Sequence, residues 1–219
     1  MTLTTSVLAG GITHLTDARY FAAWGVEWLG FPLGRHGTEG ITPNQFHALR
    51  EWLEGPKFVG EYGFVESVGE VLAQANELKL DALRLGAHVD RETARLLAAK
   101  LPVLQEIAIE GYVPAQETSS ALAERSEWTT AFILHFDRGG IQLQDLRMGR
   151  PYSLEVVRRW SEQFPIILSI DLNDTAAADL IEELPALTGL AVQGGEEEAV
   201  GMKSFDDLDG FFESLEKEL

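Results

Sequence analysis

The sequence predicts an α/β protein, a single (β/α)8 TIM barrel with eight parallel strands spanning residues 1–219. Three observations carry that prediction. The chain has 219 residues, the length of one large domain. Short apolar runs alternate with amphipathic helical patterns eight times from end to end, so each unit averages about 27 residues. Most of these runs are continuously apolar, as strands covered on both faces are. A doubly wound open sheet would also alternate, but the count of eight favours closure.

In chain order, the expected strands of the first half are Ser6 to Ala9, Trp28 to Phe31, Phe58 to Tyr62 and Ala82 to Leu85. Those of the second half are Val103 to Ile109, Phe132 to Phe136, Ile166 to Ile170 and Leu190 to Gln193. The first helix holds Ala18, Phe21 and Ala22 and stops at Gly25, as a left-handed terminating residue allows. Thr42-Pro43-Asn44-Gln45 reads as a capping box with proline at the first helical position, and Phe46, Leu49 and Leu53 form the inward stripe behind it. Ser67 with Glu70 reads as a second box, followed by Val71, Leu72 and Ala75. Asp90, Ser153, Asn173 and Ser204 are expected caps of later helices. The last helix, with Leu208, Phe211, Phe212 and Leu215, closes the outer layer.

Composition excludes several function classes. Hydrophobic residues make up 45% and charged residues 24%, ordinary for a packed globule. No run reaches the roughly 18–20 apolar residues of a membrane span. The N-terminal MTLTTSVLAGG has no basic region before its apolar run, so no secretory signal is expected, and a cytoplasmic location is. With no cysteine there is no disulfide, thiolate metal site or cysteine nucleophile. Seventeen Lys and Arg stand against 35 Asp and Glu, a net charge of −18 that repels nucleic acid and anionic membranes, and no basic patch offsets it. The expected partner is a small molecule, and the expected state is a monomer or homodimer. Glu196, Glu197 and Glu198 read as a solvated loop or first helical turn.

Nearly the whole chain resembles phosphoribosylanthranilate isomerase, the barrel enzyme of tryptophan biosynthesis. GGITHLTDARYFAAWGVEWLGF resembles that family's first βα unit and second strand, and ITPNQFHALREWL its second helix. FVGEYGFVESVGEVLAQANELKLDALRLGA resembles the third strand through the fourth. PIILSIDLND and GLAVQGGEEEAVGMKSFDDLDGFF resemble the seventh and eighth units.

The resemblance implies an Amadori rearrangement of an aminoaldose phosphate, run by an aspartic acid as general acid, a cysteine as base, an arginine on the substrate carboxylate and glycine-rich loops on the phosphate. Each position is exchanged here. Gly10 stands at the base position and cannot accept a proton through a side chain. His135 stands at the acid position, with Asp137 two residues on as the alternative acid. Glu39 stands at the arginine position, where it would repel a carboxylate, with Arg35 nearby. Ile170 and Asp171 replace the paired glycines after strand seven; Gly194 and Gly195 survive after strand eight but precede three glutamates that oppose a bound phosphate. Weak or absent isomerase activity is therefore expected. The alternatives are an enzyme for a different, non-phosphorylated ligand, cationic or sugar-like, and a non-catalytic binding or assembly module.

Strand ends on the C-terminal face are where barrel chemistry sits. His135 and Asp137 are the catalytic candidates; Asp171, Gly194, Gly195, Glu61 and Arg84 are the ligand-binding candidates. Glu61, Arg84 and Glu106 also read as an internal ion network, because unpaired buried charge is costly. Oxygen and imidazole donors at His135, Asp137, Asp171 and Glu61 suit a divalent ion chemically, but no short ligand motif supports one, so neither metal nor cofactor is expected. The DRGG stretch from Asp137 to Gly140 resembles a glycine-rich anion loop and equally an inherited connection.

Overall fold

The computed structural model describes residues 2–33, 40–172, 176–193, 197–199, 202–203 and 205–217. Eight parallel strands close into a barrel in sequence order: β1 Ser6–Gly10, β2 Trp28–Pro32, β3 Lys57–Tyr62, β4 Ala82–Leu85, β5 Val103–Ala108, β6 Ala131–His135, β7 Ile166–Ser169 and β8 Gly189–Gln193. The seam is the β1–β8 pair, in register from Ser6 opposite Gly189 to Gly10 opposite Gln193. Helices α1 Leu15–Ala23, α2 Pro43–Arg50, α3 Val68–Leu78, α4 Arg91–Ala98 and α5 Ala115–Arg125 follow the first five strands.

Strand alternation splits the buried apolar residues into two bodies. Leu8, Val59, Ala82, Leu104, Ile133 and Ile167 point inward and plug the barrel. Val7, Leu29, Phe31, Leu83, Phe132 and Leu168 point outward under the helices, in a continuous outer core. The outer layer is sealed by aromatic contacts, with Phe31 edge-on to Phe46 of α2 at 5.0 Å. Trp24, just past α1, stacks on Phe212 of the last helix at 5.2 Å.

The termini of the helices follow from local chemistry. The Thr42 hydroxyl accepts from Gln45 N–H while the Gln45 side chain accepts from Thr42 N–H, completing a reciprocal box. Asp90 accepts from Thr93 N–H. Gly25 has φ of 75°, the left-handed conformation that lets the chain turn from α1 into β2. Ser67 caps α3 in one direction only, accepting from Glu70 N–H. Ser153 sits at an N-cap without a side-chain bond to its helix. Asn173 and Ser204 lie outside the described residues.

Two connections are richer than the simple repeat. After β6 comes a tight 3-10 turn, Asp137–Gly139, and then two helices rather than one, α6 Leu143–Met148 and α7 Leu154–Gln163. α8 Ala176–Glu183 follows β7. After β8, strands β9 Glu197–Ala199 and β10 Met202–Lys203 form an antiparallel hairpin before α9 Asp206–Leu215. Glu197 and Glu198 therefore lie in a strand, not in a loop or first helical turn. Segments of two or three residues are too short for periodicity to reveal. No described helix is long and apolar enough to cross a membrane.

Candidate functional site

The layer above the apolar plug is polar. Stepping two residues along each strand from the plug leads from Leu8 to Gly10, Val59 to Glu61, Ala82 to Arg84, Leu104 to Glu106, Ile133 to His135 and Ile167 to Ser169. These positions form the C-terminal end of the barrel interior, where the architecture puts its chemistry.

Arg84, only 4% exposed, is the hub of this layer. Its Nε donates to Glu106 Oε1 at 2.6 Å, its Nη1 to Glu61 Oε1 at 2.7 Å, and its Nη2 faces His135 Nε2 at 3.3 Å. Gly11 N–H donates to the second Glu61 oxygen at 3.1 Å. Burial opposes the charge on Arg84, but Glu61 and Glu106 more than restore it, so its pKa is raised.

The two glycines beneath this pair make it possible. A Cβ on Gly10 would stand 2.3 Å from Arg84 Nη1 and 2.7 Å from Glu61 Oε1. A Cβ on Gly30 would stand 2.1 Å from the same Glu61 oxygen. The space a side chain at position 10 would use is filled by a guanidinium–carboxylate pair.

The other half of the layer runs from β5 to β7. Glu106 Oε2 accepts from Arg138 Nη1 at 2.8 Å. His135 is 1% exposed; its Nε2 lies 3.5 Å from Glu106 Oε1 and its Nδ1 lies 3.3 Å from Asp137 Oδ1. Arg84 can only donate, so a neutral His135 that gives its Nδ1 proton to Asp137 accepts at Nε2, whereas a doubly protonated ring turns Nε2–H toward Glu106. Ser169 Oγ donates to Asp137 Oδ2 at 2.8 Å, and Arg138 N–H to Asp137 Oδ1 at 2.8 Å.

Both carboxyls are held ionised by these donors. Burial pushes Glu106 up, but the His135 hydrogen bond and the charges of Arg84, His135 and Arg138 outweigh it and hold it well below the usual carboxylate range. Burial likewise pushes Asp137 up, and the bonds from His135, Ser169 and Arg138 N–H bring it down to about 2.

The structure joins His135, Asp137, Glu61 and Arg84 into one network with Glu106. Asp171 is left out of it. Its side chain is exposed beyond the end of β7 and has no partner among the described residues, while neighbouring Ile170 is buried in the outer core. Gln193 is exposed at the end of β8. Gly194, Gly195, Glu196, Glu39 and Arg35 lie outside the described residues. The DRGG stretch offers no anion nest, since Gly139 N–H donates to Phe136 O, Gly140 N–H to Asp137 O and Ile141 N–H to Phe136 O. Among the described residues no group of three or more His, Asp or Glu is placed to hold a metal. Two grooves, of about 310 and 450 Å³, flank the connections after β3 and β4 around Phe64, Val65 and Glu66, apart from this network.

Three members of the layer escape sequence reading. Ser169 and Gly30 occupy inward positions that strand alternation alone would have marked. Arg138 reveals itself only once the turn after β6 is seen to fold back over Glu106.

Comparison with known structures places this fold beside solved barrel enzymes. Its structural neighbours include phosphoribosylanthranilate isomerases. The enzyme from Thermus thermophilus aligns with a TM-score of 0.70 and 26% identity, over 96% of this chain and 98% of that chain. The Thermotoga maritima enzyme aligns with a TM-score of 0.76 and 20% identity over the same shares. A phosphoribosylanthranilate isomerase in complex with reduced 1-(o-carboxyphenylamino)-1-deoxyribulose 5-phosphate aligns with a TM-score of 0.74 and 20% identity, again over 96% and 98%. No protein-family model and no curated protein sequence matches the chain.

Proposed function

We propose that this chain is a diverged phosphoribosylanthranilate isomerase barrel that no longer runs the Amadori rearrangement and keeps its C-terminal mouth as a site for a small, non-phosphorylated ligand. One observation carries the reading: Arg84 and Glu61 fill the space above Gly10, where the resemblance puts the catalytic base. The acid position supports it. His135 is buried, and both its ring nitrogens face protein groups rather than the mouth. Phosphate affinity is disfavoured as well. Barrels of this class often hold phosphate at a short extra helix near strands seven and eight, and here the described residues between β8 and α9 form a hairpin.

The test is turnover of phosphoribosylanthranilate by the purified protein, together with rescue of a tryptophan auxotroph lacking the isomerase. The expected result is no rescue and turnover far below the ~1 s⁻¹ floor of ordinary enzymes. Turnover at an ordinary rate overturns the reading. A second reading, catalysis on another ligand, is favoured by Asp137, which is ionised, partly exposed and backed by His135 and Ser169. Loss of a discovered turnover in D137N with binding retained would support it.

A further inference from the structure

The carboxylates of the polar layer are spent within the protein. Glu61 holds Arg84 and Gly11 N–H; Glu106 holds Arg84 and Arg138; Asp137 holds Ser169 Oγ, Arg138 N–H and the His135 ring. Arg84 is spent too, with each guanidinium nitrogen facing a protein group. Arg138 differs. Its Nη1 is pinned by Glu106 at 2.8 Å, yet its side chain is 47% exposed. Its Nε and Nη2 have no partner among the described residues. The layer therefore presents to the mouth a cation that is held in place at one corner and open along its other edge, despite the −18 charge of the whole chain.

We propose that Arg138 is the grip for the carboxylate of a small monoanionic ligand. The inference rests on the reading above that the mouth binds a non-phosphorylated small molecule, and it names the ligand class. A guanidinium matches a planar carboxylate through two parallel N–H donors, and anchoring by Glu106 lowers the entropy lost on binding. Asp171 adds selectivity. It is exposed at the end of β7, the strand beside β6, and its charge disfavours a dianion more than a monoanion. A cationic ligand, the alternative for an acidic mouth, finds Glu61, Glu106 and Asp137 already paired within the protein.

The experiment uses the full chain at fixed ionic strength. Thermal shift and calorimetric titration are run with sodium benzoate, sodium glycolate, inorganic phosphate and methylammonium chloride, on the wild type, R138Q and D171N, with circular dichroism to establish that the variants are folded. A saturable rise in Tm with a monocarboxylate is expected, and little response to phosphate or methylammonium. R138Q should weaken the carboxylate about tenfold or more, the loss of a charge-assisted hydrogen-bond pair. D171N should bind it more tightly and begin to respond to phosphate, which a purely structural role for either residue would not produce. No saturable response to either carboxylate, an equal response in R138Q, or a preference for methylammonium overturns the proposal. Phosphoribosylanthranilate turnover by the same preparation would instead overturn the reading beneath it, so the two failures are distinguishable.

Discussion

Alanine at Gly10 tests how tightly Arg84 and Glu61 occupy the barrel centre. Gly10 has ordinary strand backbone, so sterics alone decide the outcome. The new methyl would stand 2.3 Å from Arg84 Nη1 and 2.7 Å from Glu61 Oε1, and the guanidinium would have to retreat by about 1 Å to restore a normal contact. Arg84 has little room to move, since Glu106 holds Nε at 2.6 Å and His135 faces Nη2. The Arg84–Glu61 contact is the one that yields. Uncoupling a buried ion pair costs about 3–5 kcal/mol, and Glu61, with its side chain 15% exposed, can recover some hydration, so about 3 kcal/mol is expected for G10A. Replacing Arg84 with methionine is destabilising by itself, but it removes the nearer obstacle and frees Glu61 to swing away from position 10. In that background the cost of G10A should fall below about 1 kcal/mol, a coupling typical of residues in contact. The assay is urea denaturation of the wild type, G10A, R84M and the double variant at pH 7. A G10A protein within about 0.5 kcal/mol of wild type, or strictly additive losses, would refute the argument.

Two further outcomes follow from the geometry. Asp137 has a folded pKa of about 2 against an ordinary 3.8, so its contribution to stability is complete above about pH 4 and is lost as pH falls toward 2; D137N should be less stable than wild type at pH 6, and the gap should close through that window in denaturation curves. T42A removes one half of a reciprocal box and should cost about 1 kcal/mol in the same measurement, with no effect on ligand response.

Much of the barrel was legible because its strands are covered on both faces and read as continuous apolar runs. Ala82–Leu85 has the expected bounds, and Trp28–Pro32 and Gly189–Gln193 differ from them by one residue. Capping was legible where a side chain two or three residues from a backbone N–H decides the matter, as at Thr42 and Asp90. The doubled helix after β6 was not, because α6 is a six-residue segment whose pattern merges with that of α7. At the site, charged residue types on neighbouring strands suggested the pairing of Glu61, Arg84 and Glu106. The occupancy of the space above Gly10 and Gly30 depends on side-chain reach across the barrel, which strand periodicity does not encode. Arg138 was hidden for a related reason: its role comes from a 3-10 turn three residues long.

The close fit of Arg84 over Gly10 also limits what evolution can place there. A proton-abstracting side chain cannot be introduced at this position by one codon change, since any residue larger than glycine meets the guanidinium first. Such a change needs the arginine to leave first, stranding two acids in the barrel's interior. The packing works as a lock: base chemistry at this position lies across a stability valley rather than a single step away.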